Sequence, residues 1–248
     1  MKAIVNIWHE DSQESSTSSF WRFIFDTLAS TPSVFKVRGF SSNKNLAKEI
    51  MKYDFSDLNQ KYIILLDNPY DNRVIGELFD SIELKLKSYR NVYMADIVCF
   101  EYMMLSFEEF EQWVKRDVVS TRMRDLFLVR QQLLDCIANG KQWKEYNDIC
   151  RFADIKFGKD NKKTKSVENL SAALLSELTS DRKYKFGISK TTFGDCWTCD
   201  CCKLNLKCAL NGFDINATDL LTSYDKAIAL YSKSPVIEVI KGANKKIK

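Results

Sequence analysis

The feature that most constrains how this chain can fold is a regular alternation of strand and helix patterns over its first 114 residues. Residues 61–66 (KYIILL) are almost continuously apolar, as expected for a central parallel strand that is covered on both faces. Segments with helical apolar spacing precede and follow this run. The alternation predicts an α/β fold with the order βαβαβαβα and an open parallel sheet. The predicted strands are 3–8, 34–40, 61–66 and 91–98, and the predicted helices are 18–28, 43–53, 74–87 and 101–114.

The pattern changes after residue 117, where helical spacing continues without strands of comparable strength. We therefore expect an α/β domain at 1–117 and a helical, cysteine-rich extension at 118–248. A hydrophobic content of 45% is enough for one core of about 150 residues with an appendage. The helices predicted in the extension are 123–137, 141–152, 166–178 and 216–232.

Neither a membrane span nor a secretory signal is expected, because no run of about 18 apolar residues occurs and the N-terminal MKAIVNIWHEDSQ soon becomes acidic. These patterns predict a cytoplasmic protein without a membrane partner. The formal net charge is +4, with basic residues concentrated in 156–165 and in the lysine-rich tail 241–248. Such segments suit contacts with a nucleic-acid backbone, and they equally suit two solvated loops.

Five of the eight cysteines fall within 196–208, which in a cytoplasmic chain indicates a metal site rather than disulfides. Four of them have the spacing C-x₂-C-x₂-C-x₅-C, namely Cys196, Cys199, Cys202 and Cys208. Four thiolates suit a structural, tetrahedral Zn²⁺, with Cys201 as a spare ligand. An iron–sulfur cluster and the absence of any metal are the alternatives. Cys99, Cys136 and Cys150 are solitary and have apolar neighbours.

Acidic residues follow three of the predicted strands. Glu10 and Asp11 follow the first strand, and Asp67 and Asp71 follow the third. Glu101 comes after the fourth. Ligands of open parallel sheets bind at the carboxyl ends of the strands, so these residues are expected at the functional edge. Convergent carboxylates favour Mg²⁺ or Mn²⁺, which prefer oxygen ligands and can bridge to phosphate.

This order of acidic residues resembles the Toprim domain, whose members place a Glu after the first strand and an Asp-x-Asp motif after the third. Residues 97–107 (IVCFEYMMLSF) look like the Cys-Phe-Glu and apolar helix of the RloB-like branch, found in bacterial phage-defence and restriction loci. Glu10, the serine-rich loop 12–19 and the pair Phe20-Trp21 also match that branch. The resemblance covers about residues 1–113.

The resemblance implies a nuclease that uses a divalent metal to cleave nucleic acid in anti-phage defence, with a partner protein from the same locus. The residues it implies as catalytic metal ligands are Glu10, Asp67 and Asp71, and Glu101 is implied as a further carboxylate at the metal. The second Asp of the motif is replaced by Pro69, which cannot bind metal through its side chain. The alternative is therefore a catalytically degenerate module that binds or senses a protein or nucleic-acid partner.

Each of these residues also has a simpler interpretation. Glu10 can be a solvated loop carboxylate, and Asp67 can form an Asx turn that ends the strand. Glu101 suits the start of a helix because of the helix dipole. His9, the only histidine, can assist proton transfer beside Glu10 or can be a packing residue. A nucleotide-binding Rossmann protein is less consistent with the sequence, since residues 8–20 contain no glycine for a phosphate-binding turn.

Overall fold

A computed structural model describes residues 3–29, 33–67, 73–106, 121–138, 149, 166–179 and 236–247. Strands and helices alternate through the first half, and helices follow. In chain order the elements are β1 (Ala3–His9), α1 (Ser16–Leu28), β2 (Ser33–Gly39), α2 (Asn43–Lys52), β3 (Gln60–Asp67), α3 (Arg73–Leu86), β4 (Val92–Ile97), α4 (Phe100–Leu105), α5 (Thr121–Ala138), α6 (Val167–Thr179) and α7 (Val236–Ile247).

The four strands form one parallel sheet in the order β2-β1-β3-β4. The expected open parallel α/β sheet is therefore confirmed, with strand ends within about two residues of the predictions. β3 occupies an inner position and is buried from Tyr62 to Leu66, as its apolar sequence indicated. The chain passes from β2 on one side of β1 to β3 on the other side. The strand order therefore reverses its direction at β1, and the carboxyl ends of β1 and β3 lie next to each other.

Successive side chains of the strands enter two different cores, because side chains alternate between the faces of a sheet. One core lies between the sheet and α1, and it continues into α4, α5, α6 and α7. The second core lies between the sheet and the helix pair α2 and α3. Trp8 is at the centre of an aromatic cluster in the second core, and its partners are Phe40, Tyr53, Phe55 and Tyr62. The helices of the second half thus share a core with the sheet.

The end of the chain differs from the expected lysine tail. Residues 236–247 form α7, which packs on β4, β3 and α1 with Val239, Ile240 and Ala243 buried. Gly242 lies directly against the ring of Tyr93, where a larger side chain has no room. The lysines occupy the remaining face of the helix, and Lys241 pairs with Glu238 at 2.7 Å. The interpretation of the lysine-rich tail as a solvated loop is therefore wrong for residues 241–247, which are helical.

The fourth predicted helix is shorter in the structure. α4 ends at Leu105, and the Ser106 N–H donates to the carbonyl of Tyr102. Residues 107–114 of the predicted helix lie outside the described residues, as do 216–232 and all of 141–152 except the buried Ile149. In the parts of the chain that the structure describes, no helix is both long and apolar enough to cross a membrane.

Asn91 holds the loop that leads into β3. Its side chain is fully buried, and its Nδ2 donates to the carbonyls of Phe55, Asp57 and Gln60 at 3.0, 3.1 and 2.9 Å. We expect Asn91→Ala to destabilise the protein by about 1–3 kcal/mol, because buried carbonyls lose their donor. Urea denaturation measures this free energy. The exposed Asn45, with a single 3.2 Å bond to the Phe40 carbonyl, is the control, and an equal loss in Asn45→Ala would contradict the assignment.

Candidate functional site

The candidate site lies at the carboxyl edge of the sheet, where β1 and β3 meet. The strand order reverses at this point, and the crevice outside such a switch point is where open α/β sheets bind their ligands. Asp67 is the last residue of β3, and Glu10 directly follows β1. His9 is in register with Leu65, so Glu10 comes level with Leu66, one residue before Asp67 on the neighbouring strand. The fold thus places two carboxylates that are 57 positions apart in the sequence at the ends of neighbouring strands.

The loop after β1 is fixed by hydrogen bonds to α1 and β2. His9 is only 1% exposed, and its Nε2 lies 2.6 Å from the Ser18 hydroxyl on α1. The Ser18 hydroxyl also lies 3.3 Å from the Ser12 carbonyl, to which it can donate. Gln13 binds the edge strand β2, donating to the carbonyl of Val37 and accepting from the N–H of Gly39. His9 therefore links a strand to a helix in the interior, in agreement with its interpretation as a packing residue.

Glu10 and Asp67 lie towards opposite faces of the sheet. Glu10 lines a cavity of about 790 Å³ between the carboxyl edge, the start of α2 and one side of α3. Asp67 follows the alternation of Ile63 and Leu65, whose side chains enter the core on the α1 side. A cation shared by both carboxylates would therefore lie at the end of the sheet, between its two faces.

Beyond β4, a buried cysteine lies within electrostatic range of three carboxylates. Cys99 caps α4 by accepting from the Tyr102 N–H at 3.4 Å. Burial raises the pKa of the Cys99 thiol well above its usual range, and the negative charges of Asp67, Glu101 and Glu168 raise the pKa further. Glu101 is 9% exposed in the first turn of α4, a position that the helix dipole stabilises. The charges of Asp67 and Glu101 thus both act on the Cys99 thiol.

We expect Cys99 to resist alkylation in the folded protein at pH 8, because only the thiolate reacts and its raised pKa keeps the thiol protonated. The folded state binds this proton more tightly than the unfolded state does. The contribution of the protonated Cys99 thiol to the stability of the folded protein is therefore complete below the ordinary thiol pKa of 9.0. This contribution is lost as the pH rises above that value. Peptide-resolved labelling with iodoacetamide should be at least about tenfold slower at Cys99 in buffer than in urea. Equal rates would contradict its burial.

The expected metal ligands are only partly within the described structure. Glu10, Asp67 and Glu101 are described, whereas Asp71 and Pro69 fall in 68–72, outside the described residues. Among the described residues, no group of three or more His, Cys, Asp or Glu side chains is arranged to hold a metal ion. Carboxylate oxygens such as those of Glu10 and Asp67 are of the kind that Mg²⁺ and Mn²⁺ prefer, so the metal site stays a prediction.

The cysteine cluster also lies outside the described residues, so the zinc site stays a prediction. Its members are Cys196, Cys199, Cys201, Cys202 and Cys208. Cys99 and Cys136, both expected to be solitary, are buried thiols that form no disulfide within the described residues.

Sequence reasoning missed Glu168 and the cavity beside Glu10. Glu168 lies in the first turn of α6, where Ser166 caps the helix by accepting from the Asn169 N–H. The cap was visible in the sequence, but the packing of α6 against α4, which brings Glu168 towards Cys99, was not. Lys44 and Val74 line the cavity from two separate helices, and no local pattern pairs them.

Comparison of the chain with known protein families, curated proteins and solved structures gave no match.

Proposed function

We propose that this chain is a Toprim-like, divalent-metal-dependent nuclease that cleaves phosphodiester bonds of nucleic acid in the cytoplasm. The observation that supports the proposal is the strand order, in which β1, which Glu10 follows, is the direct neighbour of β3, which ends at Asp67. A shared metal site requires this neighbourhood, and a sheet with β1 and β3 apart would exclude it. The resemblance to the RloB-like branch extends the proposal to a role in anti-phage defence with a partner protein.

In this proposal Glu10, Asp67 and Asp71 hold Mg²⁺ or Mn²⁺, with Glu101 as a further carboxylate. The bound metal supplies polarisation of the phosphate and stabilisation of the leaving oxygen. Glu10, or a water bound beside it, accepts the proton of the attacking water. The buried contact of His9 with Ser18 keeps the loop that carries Glu10 in place.

The other proposed groups support folding and binding. A structural Zn²⁺ at Cys196, Cys199, Cys202 and Cys208 would stabilise a segment that has few regularly spaced apolar residues. Basic side chains at 156–165 and on α7 would contact phosphates without reading sequence. On α7, Lys245 is exposed and is the better candidate, since Lys241 already pairs with Glu238.

A catalytically degenerate binding or sensor module is the second candidate. Pro69 favours it, since the central carboxylate of the Asp-x-Asp pattern is replaced. The positions of Glu10 and Asp67 on different faces of the sheet also favour this candidate. The two carboxylates could then share a cation only at the end of the sheet, between the two faces.

Cleavage assays separate the two candidates. Purified protein is incubated with labelled tRNA, single-stranded DNA and duplex DNA in Mn²⁺, in Mg²⁺ and in EDTA. The nuclease proposal expects cleavage of at least one substrate that stops in EDTA. Binding without cleavage under all conditions would instead support the second candidate.

A further inference from the structure

The strand–helix unit of β2 and α2 is strongly basic. Residues 33–53 carry five basic side chains and a single acidic one, Glu49. The rest of the chain is balanced, with 32 basic and 32 acidic residues out of totals of 37 and 33. The formal net charge of the chain, +4, is therefore equal to the charge of this one unit.

The basic side chains of β2 lie on the face of the sheet that α2 covers. Lys36 and Arg38 are two positions apart on the strand, so they share a face. Arg38 lies over the rings of Phe40 and Trp8, at 4.6 and 5.7 Å from their centroids, and Trp8 belongs to the core under α2. The Arg38 guanidinium also reaches Glu49 of α2 at 3.5 Å. Lys36 and Arg38 thus extend the surface of α2.

The lysines of α2 form a row along the exposed side of the helix. Lys44, Lys48 and Lys52 are separated by four residues each, which places neighbours about 6 Å apart along the helix axis. The buried residues of the helix lie on its opposite side. The three lysines and Lys36 are exposed, and within the described residues none of them forms an ion pair. Their charges are available to an anionic partner.

The two ends of the row have different surroundings. Lys44 lines the cavity beside Glu10, where three carboxylates outweigh its charge. Beyond Lys52, the acidic residues Asp54 and Asp57 accept hydrogen bonds within their own loop. The basic surface, as we define it, consists of Lys36, Arg38, Lys48 and Lys52. It begins about 6 Å along α2 from the residue that lines the cavity with Glu10.

A nucleic-acid backbone is the anionic partner that fits this surface best. Its phosphates form a regular row, as the lysines of α2 do, whereas the acidic side chains of a peptide have no fixed spacing. Bases find no aromatic platform here, because Trp8 is only 4% exposed and Arg38 covers Phe40. Single strands bind largely by stacking their bases on aromatic side chains. The surface therefore suits the backbone of a double helix.

We infer that the basic surface binds the phosphate backbone of double-helical nucleic acid and holds it beside the carboxyl edge of the sheet. The inference rests on the proposed function, because it names where the substrate of that function binds. Contacts with phosphates fix the position of a duplex without reading its sequence. The surface thus determines which part of a duplex lies near Glu10, and it leaves the choice of sequence open.

Fluorescence anisotropy of the full chain with a labelled duplex of about 20 base pairs, and with one of its strands, tests the inference in Ca²⁺ at about 50–200 mM KCl. We expect the duplex to bind at least as tightly as the single strand. The double variant Lys48→Gln/Lys52→Gln should weaken duplex binding by about tenfold or more at the lowest salt concentration, for any sequence. It should also reduce the slope of log K against log salt concentration by about two, because two phosphate contacts are lost.

The matched control is Arg22→Gln/Arg124→Gln, which changes the net charge by the same amount. Both arginines are exposed, and they lie on α1 and α5, which pack in the core on the opposite face of the sheet. This control should change the slope by less than about 0.5. Lys48→Arg/Lys52→Arg keeps both charges and should bind within about twofold of the unmodified protein. Glutamine and arginine have helix propensities close to that of lysine, so these variants are expected to fold.

Four results would overturn the inference. They are no binding of the duplex, tighter binding of the single strand, equal effects of the two glutamine variants, and competition by polyglutamate as effective as that by unlabelled duplex. The last result would identify an acidic polypeptide as the partner.

These outcomes are distinct from failure of the nuclease proposal. Metal-dependent cleavage of the duplex that is insensitive to Lys48→Gln/Lys52→Gln would keep the nuclease and reject the basic surface as its binding site. Duplex binding that depends on Lys48 and Lys52, without cleavage in Mn²⁺ or Mg²⁺, would keep the basic surface and reject the nuclease.

Discussion

Asp67→Asn is expected to reduce metal-dependent cleavage by about 100-fold or more, because the amide keeps the shape of the side chain but loses the charge that holds a divalent cation. Glu10→Gln should have an effect of similar size. Glu10 follows β1 and Asp67 ends the neighbouring strand β3, so each variant removes one carboxylate of the proposed metal site. Initial rates on the best substrate, measured over a series of Mn²⁺ concentrations, give the loss of rate and the shift in metal requirement.

Asp80→Asn is the matched control, because Asp80 is an exposed carboxylate on α3 that does not line the cavity beside Glu10. Its cleavage rate should stay within about twofold of the unmodified protein. Thermal unfolding of all three variants shows whether any loss of activity reflects loss of folded protein. Unchanged cleavage in Asp67→Asn and Glu10→Gln would reject Glu10 and Asp67 as the metal-binding carboxylates.

Gly39→Ala is expected to destabilise the protein by roughly 3 kcal/mol or more, the upper range for inserting atoms into a packed site. The loop after β1 crosses the end of β2 at this glycine. A Cβ at position 39 would contact the Asp11 carbonyl oxygen and would lie 2.6 Å from both Gln13 N and Ser12 C. All three are backbone atoms, so no side-chain rotation relieves the clash. The loop that carries Glu10 must therefore move, and cleavage should fall together with stability.

Thermal and urea unfolding measure this effect, which for a chain of this length corresponds to a fall of about 6–12 °C in the midpoint. Gly76→Ala is the control, because a Cβ there meets no atom within 4 Å and the residue lies inside α3. Alanine should stabilise that helix by up to about 1 kcal/mol relative to glycine. A Gly39→Ala protein as stable as the unmodified one would show that the loop does not cross β2 as described.

The alternation of strands and helices was predictable because each element carries its own periodicity. The apolar run of β3 indicated an inner position, and an inner position is what the sheet shows. Helix α6 was also located from its apolar spacing and its cap at Ser166. Helix α7 was not predicted, because the four lysines in 241–248 make this segment strongly polar. Its apolar positions Val239, Ile240 and Ala243 nevertheless have helical spacing.

The candidate site was predictable only as a set of residues at strand ends. The sequence placed Glu10 after β1, Asp67 after β3 and Glu101 after β4, since each follows a recognisable strand. Which strands are neighbours is a long-range property, and it depends on how α1, α2 and α3 cover the two faces. The sequence therefore could not assign Glu10 to a cleft against α2 and α3, or Asp67 to the surroundings of Cys99.

The sequence by itself determined the local structure of this protein and the acidic character of its strand ends, because hydrophobic periodicity and capping act over a few residues. Three further relations are properties of the tertiary structure alone. They are the adjacency of β1 and β3, the packing of α7 on the sheet, and the position of Lys44 and Val74 in the lining of the cavity beside Glu10. These relations depend on the packing of elements far apart in the chain, and the free energy of that packing is not encoded in any single segment.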